Sequence, residues 1–146
     1  MDVTATLEVN VPAPQLRQWV DDLCVYPLWL TIVPFAELVT GEEATWIIEL
    51  RAKVGPLSRS KKLRMARTIN EPNHLRFERA EIDGRNHSPW ILDVALTEDG
   101  DRSRLVMGLH YGGSFGGGVV ERLLADEIES SKERLRSMVE FGTDTP

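Results

Sequence analysis

Val3, Ala5, Leu7, Val9 and Val11 alternate with Thr4, Thr6, Glu8 and Asn10, the two-residue period of a strand with one wet face, and Pro12 ends it. From Pro14 to Leu23 the period changes: Leu16, Trp19, Val20 and Leu23 recur at helical spacing, with Asp21 and Asp22 on the other side. Tyr26-Pro27 supplies a stop and a restart, which predicts a second short helix over Leu28 to Val33. Strand-like runs divided by turn chemistry follow. Phe35 to Val39 is short, and Thr40-Gly41-Glu42-Glu43 turns the chain. Trp46, Ile48, Leu50, Ala52 and Val54 then hold one face of a longer strand that stops at Gly55-Pro56. Leu63, Met65 and Ile69 mark the next strand, and Leu75 and Phe77 the one after the Asn70 to Asn73 turn. Asp83-Gly84-Arg85-Asn86 turns the chain again, and Trp90, Leu92, Val94 and Leu96 alternate up to Glu98-Asp99-Gly100-Asp101. Leu105, Met107, Leu109 and Tyr111 alternate in the last strand. Five glycines between Gly112 and Gly118 break the pattern, after which Val120, Leu124, Ile128, Leu135 and Met138 predict a long amphipathic helix over about residues 118 to 141.

One strand, two short helices, six hairpin-connected strands and a long final helix make an α+β fold: a seven-stranded antiparallel sheet with helices on one side. A sheet of that size curls, and a helix laid across its concave face encloses a cavity. With 146 residues and no internal repeat or linker, residues 1–146 read as a single ligand-binding domain.

This order resembles the helix-grip proteins of the START-like (SRPBCC) superfamily, the polyketide cyclase/dehydrase and pollen-allergen-like group. The residues that carry the resemblance are the first strand running into Val11-Pro12-Ala13-Pro14, the Tyr26-Pro27-Leu28-Trp29 element, Val54-Gly55-Pro56, and the glycine-rich entry to the final helix. It covers nearly the whole chain and implies the helix-grip fold, with lipids, polyketides or other aromatics as ligands. None of these motifs is catalytic. The Thr40 to Glu43 turn, with one glycine and two acids, departs from the glycine-rich turn of the pollen allergens, so no phosphate cradle is expected there.

Composition narrows the field further. The 42% apolar content is that of an ordinary globular chain and argues against disorder. No apolar run reaches membrane-spanning length and the N-terminus has no signal-peptide pattern, so a cytoplasmic protein is expected. The lone Cys24 allows neither an internal disulfide nor a thiolate metal cluster, and no cofactor or metal site is expected. The net charge of −6 is uneven: residues 51 to 70 hold seven Lys and Arg and no acid, leaving −13 on the rest. Such a basic hairpin suits an acidic partner or an anionic surface, or serves as a solvated sheet edge; without interleaved aromatics it does not read as a nucleic-acid site.

Alternate hairpin connections share one end of a sheet. The loops at Gly55-Pro56, Asp83 to Asn86 and Gly112 to Gly118 therefore gather with the start of the last helix at the expected cavity mouth. By parity Trp46, Met65, Phe77, Trp90, Leu92, Met107 and Tyr111 line or fill the interior. Arg67 and Arg79 share that parity, and a register pairing Ile69 with Phe77 places the two arginines opposite each other. Either a ligand carboxylate relieves them, or Glu81 or Glu127 pairs with them, or each snorkels to the sheet edge. His87, with Asp83 four residues earlier, and Tyr111 are the candidate acid–base residues near the mouth. His74 and His110 face solvent by parity, and Ser114 in GGSFGGG is no nucleophile elbow. The leading expectation is binding, for transport or sequestration, of a small apolar or aromatic molecule that can carry a carboxylate. The alternatives are a cyclase/dehydratase acting on a polyketide-like substrate, or an interaction module built on the basic hairpin.

Overall fold

A computed structural model describes residues 2–54, 56–112, 118–142 and 146. Seven strands form one antiparallel sheet in the order β1-β7-β6-β5-β4-β3-β2: β1 Asp2–Val9, β2 Phe35–Leu38, β3 Thr45–Val54, β4 Leu57–Glu71, β5 His74–Arg79, β6 Trp90–Asp99 and β7 Arg102–Tyr111. Every strand from β2 onward pairs with its successor, as the hairpin chemistry predicts, while β1 closes the far edge against β7. Helix α2, Gly118–Phe141, packs against β1 and β3, and so bridges the sheet across its concave side. The change of period on either side of the glycine run is therefore a real change of element; residues 113–117 of that run lie outside the described residues.

Both short helices differ from the pattern reading. Helix α1 is only Ala13–Arg17, continued by turns, and its N-terminal N–H groups have no side-chain cap from Pro12. The Glu98 carboxylate accepts from the Ala13 N–H instead (3.2 Å). The second is a 3-10 helix at Leu23–Leu28, with Pro27 inside it, rather than a helix starting at Leu28. The Asp22 carboxylate caps the Cys24 N–H at 2.9 Å and starts the helix early, and in one so short the missing proline N–H costs little. Tyr26 C=O closes it by accepting from the Trp29 and Leu30 N–H groups.

The β4–β5 register is also not the one that parity implies. Arg67 pairs with Phe77 and Met65 with Arg79, then Ile69 pairs with Arg76, so Thr68 is an extra residue in a β-bulge. Its hydroxyl donates to the Glu78 carboxylate across the bulge. The two arginines are thereby two register steps apart, and the like-charge pair does not form.

One hydrophobic cluster joins the concave face to the helices. An aromatic group anchors its closed end: Tyr26 lies 4.8 Å from Trp29 and 6.3 Å from Phe77, which meets Trp46 edge-on at 5.6 Å. Their polar atoms are accounted for. Tyr26 Oη donates to Val20 C=O (2.8 Å), Trp29 Nε1 to Trp19 C=O (2.9 Å) and Trp46 Nε1 to Asp22 Oδ1 (3.0 Å).

Candidate functional site

Between sheet and α2 the core leaves a chamber of about 120 Å³. Its walls come from β1 (Val3, Leu7), the 3-10 helix (Leu23, Tyr26) and the segment after it (Trp29, Ile32), β3 and β4 (Ile48, Leu50, Leu63, Met65), β6 and β7 (Trp90, Leu92, Leu105, Met107), and α2 (Leu124, Ile128, Leu135). The polar lining residues are Thr6, Arg51 and Lys132. A second, outer chamber of about 370 Å³ lies at the end of β3, lined by Thr31, Pro34, Arg51, Lys53 and Glu127 among others. Ile32, Arg51 and Leu124 belong to both and form the partition between them. The outer chamber thus sits at the sheet end where the hairpin count places the mouth, beside the first half of α2.

How α2 is fastened matters for access. Toward its C-terminus Glu140 accepts from the Asn10 N–H (2.8 Å), Arg136 donates to Glu8 C=O (3.3 Å) and Arg134 to Trp29 C=O (3.1 Å). Toward its start, among the described residues, the Glu127 carboxylate accepts from the Thr31 hydroxyl at the rim of the outer chamber.

Of the residues assigned inward by parity, Met65, Trp90, Leu92 and Met107 line the inner chamber. Trp46, Phe77 and Tyr111 are buried but serve packing, with Tyr111 stacked on Trp90 at 4.7 Å. Arg67 and Arg79 are not lining residues. Arg67 Nη1 donates to Asp21 C=O (2.7 Å) and its guanidinium lies 5.8 Å from the Trp46 ring centre. Arg79 Nε donates to Glu81 Oε1 at 3.0 Å, with side-chain exposures of 9% and 19%. Glu81 Oε1 also accepts the Arg64 N–H (3.0 Å), so this carboxylate ties β5 to β4.

His87 Nε2 lies 2.9 Å from Asp83, but the residue is exposed and neither side chain borders a chamber. The Arg85 N–H and then His87 hold the Asp83 carboxyl below its ordinary range, which keeps it a carboxylate. Glu81, Asp83 and His87 offer donor atoms within 4.8 Å of one another, yet Glu81 is already engaged by Arg79 and Arg64. His110 is exposed against Asp2 (2.8 Å); His74 is half-buried, held by Asp93 (2.9 Å) rather than free in solvent. Burial and the neighbouring Asp22 raise the Cys24 thiol, leaving it little thiolate.

The basic run of residues 51 to 70 divides by burial. Arg51, Lys53, Arg59 and Lys62 are exposed, whereas Arg64 donates to Ala80 C=O (2.6 Å) and Arg67 is anchored as above. Lys61 is the residue that reading the run as a block overlooks. It shares parity with Leu63 and Met65, so it faces the concave side opposite Leu50, and its Nζ lies 5.8 Å from the Trp90 ring centre. Burial, then repulsion from Arg79, lowers its pKa against the opposing pull of Glu81. No helix among the described residues is long and apolar enough to cross a membrane.

The model of the family "polyketide cyclase/dehydrase and lipid transport" matches residues 1–140. No curated protein sequence matches the chain. Solved structures share the fold at low identity. A Deinococcus radiodurans protein is 17% identical with a TM-score of 0.72, covering 98% of this chain and 100% of its own. A START superfamily protein from Mycobacterium smegmatis is 17% identical at 0.70, with 94% and 96% covered. A Streptomyces aromatase/cyclase is 13% identical at 0.65, with 95% and 93% covered.

Proposed function

Because the chain belongs to the polyketide cyclase/dehydrase and lipid transport family, a family of ligand-binding domains, we propose that it binds one small, mainly apolar molecule between sheet and α2. The observation that carries this reading is the inner chamber, an unfilled space of about 120 Å³ walled by apolar side chains from seven elements. Protein interiors are close-packed, and a void this size forfeits contacts that a guest restores. An apolar cavity of about 150 Å³ takes a benzene molecule. The inner chamber therefore suits a single aromatic ring or a short branched hydrocarbon, and a longer ligand extends its remainder into the outer chamber. A sterol or a long acyl chain does not fit inside.

Binding is favoured over cyclase or dehydratase chemistry by the placement of the titratable groups. Such a reaction needs a proton donor or acceptor within hydrogen-bond reach of the substrate. The His87–Asp83 pair lies outside the lining, Tyr111 is packed behind Trp90, and, of the titratable side chains that do line the chambers, Lys132 is engaged by Glu129 (3.3 Å) and Glu127 by the Thr31 hydroxyl. Carriage or sequestration needs neither.

Thermal unfolding against toluene, indole, a medium-chain fatty acid and a sterol tests the reading. A ligand at 100 times its Kd adds about 2.7 kcal/mol. With an unfolding entropy of roughly 0.3 kcal/mol/K for this length, Tm rises by about 9 °C. Small-ring compounds should give that shift and the sterol none; the absence of any shift with every ring compound overturns the proposal.

A further inference from the structure

The two chambers differ in chemistry. The inner one is walled almost wholly by apolar groups, so a guest that carries a polar end has to lead it past the partition. Of the residues that border both chambers, Ile32, Arg51 and Leu124, Arg51 is the polar one. β2 pairs with β3 only as far as Glu49, and beyond it the Arg51 N–H donates to Ile32 C=O (2.8 Å), which fixes Arg51 at the passage. Its side chain is 48% exposed, and Glu49 Oε1 takes one of its five N–H donors, on Nη2, at 3.0 Å. Lys53, on the same side of β3, also borders the outer chamber and donates to no acceptor among the described residues. The acid in that lining, Glu127, already accepts from the Thr31 hydroxyl. Two cations thus meet one engaged carboxylate where the apolar chamber gives way to solvent, a setting that favours an anion.

We propose that Arg51 is the anion-recognising residue of this cavity, receiving in the outer chamber the carboxylate of an amphipathic acid whose ring or short hydrocarbon end fills the inner one. This rests on the inner chamber being the binding site, and it narrows the ligand class from apolar molecules to monocarboxylic acids with a short spacer between the apolar end and the carboxylate. The guanidinium fork offers a carboxylate two parallel N–H groups, and its half-exposed pair with Glu49 is weak enough to be shared or given up. Lys53 adds a second positive charge from the open side.

Calorimetric titration with 4-phenylbutyrate and its neutral counterpart 4-phenylbutan-1-ol tests this, because the ratio of the two affinities within one protein cancels any change in the apolar cavity. In wild type the acid should bind roughly 10-fold tighter than the alcohol, the low end for a hydrogen bond to a charged group because the guanidinium is half exposed. Arg51→Met should remove that preference, and Arg51→Lys should keep part of it. Glu49→Gln leaves Arg51 in place and frees its Nη2, so the ratio should rise a few-fold; an arginine that serves only its pair with Glu49 gives no such gain. If wild type takes the alcohol as well as the acid, if Arg51→Met keeps the preference, or if the ratio fails to rise in Glu49→Gln, the arginine assignment is wrong while the cavity reading stands. Failure of wild type to bind either compound overturns the cavity reading and this one with it.

Discussion

Replacing Arg79 with Met distinguishes a structural arginine from a ligand anchor. The change removes the 3.0 Å bond from Nε to Glu81 Oε1 and the longer donation from Nη1 to Ser88 C=O (3.3 Å). Breaking a buried pair by deleting one partner costs about 3 to 5 kcal/mol, because the other charge is left stranded. Two features reduce that here. Glu81 is 19% exposed and keeps the Arg64 N–H, and Lys61, relieved of a like-charged neighbour, can turn toward it. We therefore expect a loss of about 2 to 3 kcal/mol, equivalent to a Tm fall of roughly 6 to 10 °C at this chain length. Adding Glu81→Gln should return part of that loss, since the stranded charge is gone, and urea denaturation of the two single variants and the double variant closes the cycle. A loss below about 0.5 kcal/mol in Arg79→Met, or no recovery in the double variant, refutes the structural reading of this pair.

Tyr26→Phe should cost about 1 to 1.5 kcal/mol in urea denaturation, the value of its buried bond to Val20 C=O. Burial also raises the Tyr26 phenol well above its ordinary 10.0, so the folded state holds a proton that the unfolded state releases. That contribution is complete below pH 10 and should be lost as pH climbs from there, with Tyr26 ionising only on unfolding in an absorbance titration. Asp22→Ala removes the cap on Cys24 and the acceptor of Trp46 Nε1 together, and a loss of about 2 kcal/mol is expected by chemical denaturation. Leu105→Trp sends a ring into the 120 Å³ chamber and should abolish toluene binding by calorimetry while leaving a cooperative melt.

The strands and the final helix were legible because each buries one face, and a two- or 3.6-residue rhythm survives wherever that holds. The rhythm failed at Thr68, where an unpaired residue resets parity, since Ile69 looks as inward as Leu63 yet pairs with Arg76 on the other side of the bulge. It failed again at Pro27, because the Asp22 side-chain cap that starts the 3-10 helix is a local polar contact with no hydrophobic signature. Within the site, parity was enough to pick Met65, Trp90, Leu92 and Met107, but it does not separate a wall from a filler, as Phe77 and Tyr111 illustrate. Lys61 carried the same parity signal as Leu63; it was hidden by the charge run around it. The partner of Arg79 was within reach of sequence reasoning, whereas that of Arg67 is a backbone carbonyl of Asp21, which no residue type announces.

Among the described residues α2 is fastened unevenly, with more hydrogen bonds toward its C-terminus than at the rim, which makes it a cantilever clamped beside β1. Glu127 is 7 residues from Arg134, the nearest of the clamping residues, so about 10 Å of helix separates the rim from the clamp, and a tilt of only ~5° carries the rim nearly 1 Å while barely disturbing the clamped turns. Among the described residues, guest entry then requires breaking the exposed Thr31–Glu127 hydrogen bond and flexing a rod, with every strand pairing of the sheet kept intact. Amide exchange along the helix should quicken steadily from residue 140 toward residue 124, a stiffness profile of the kind expected of a spring.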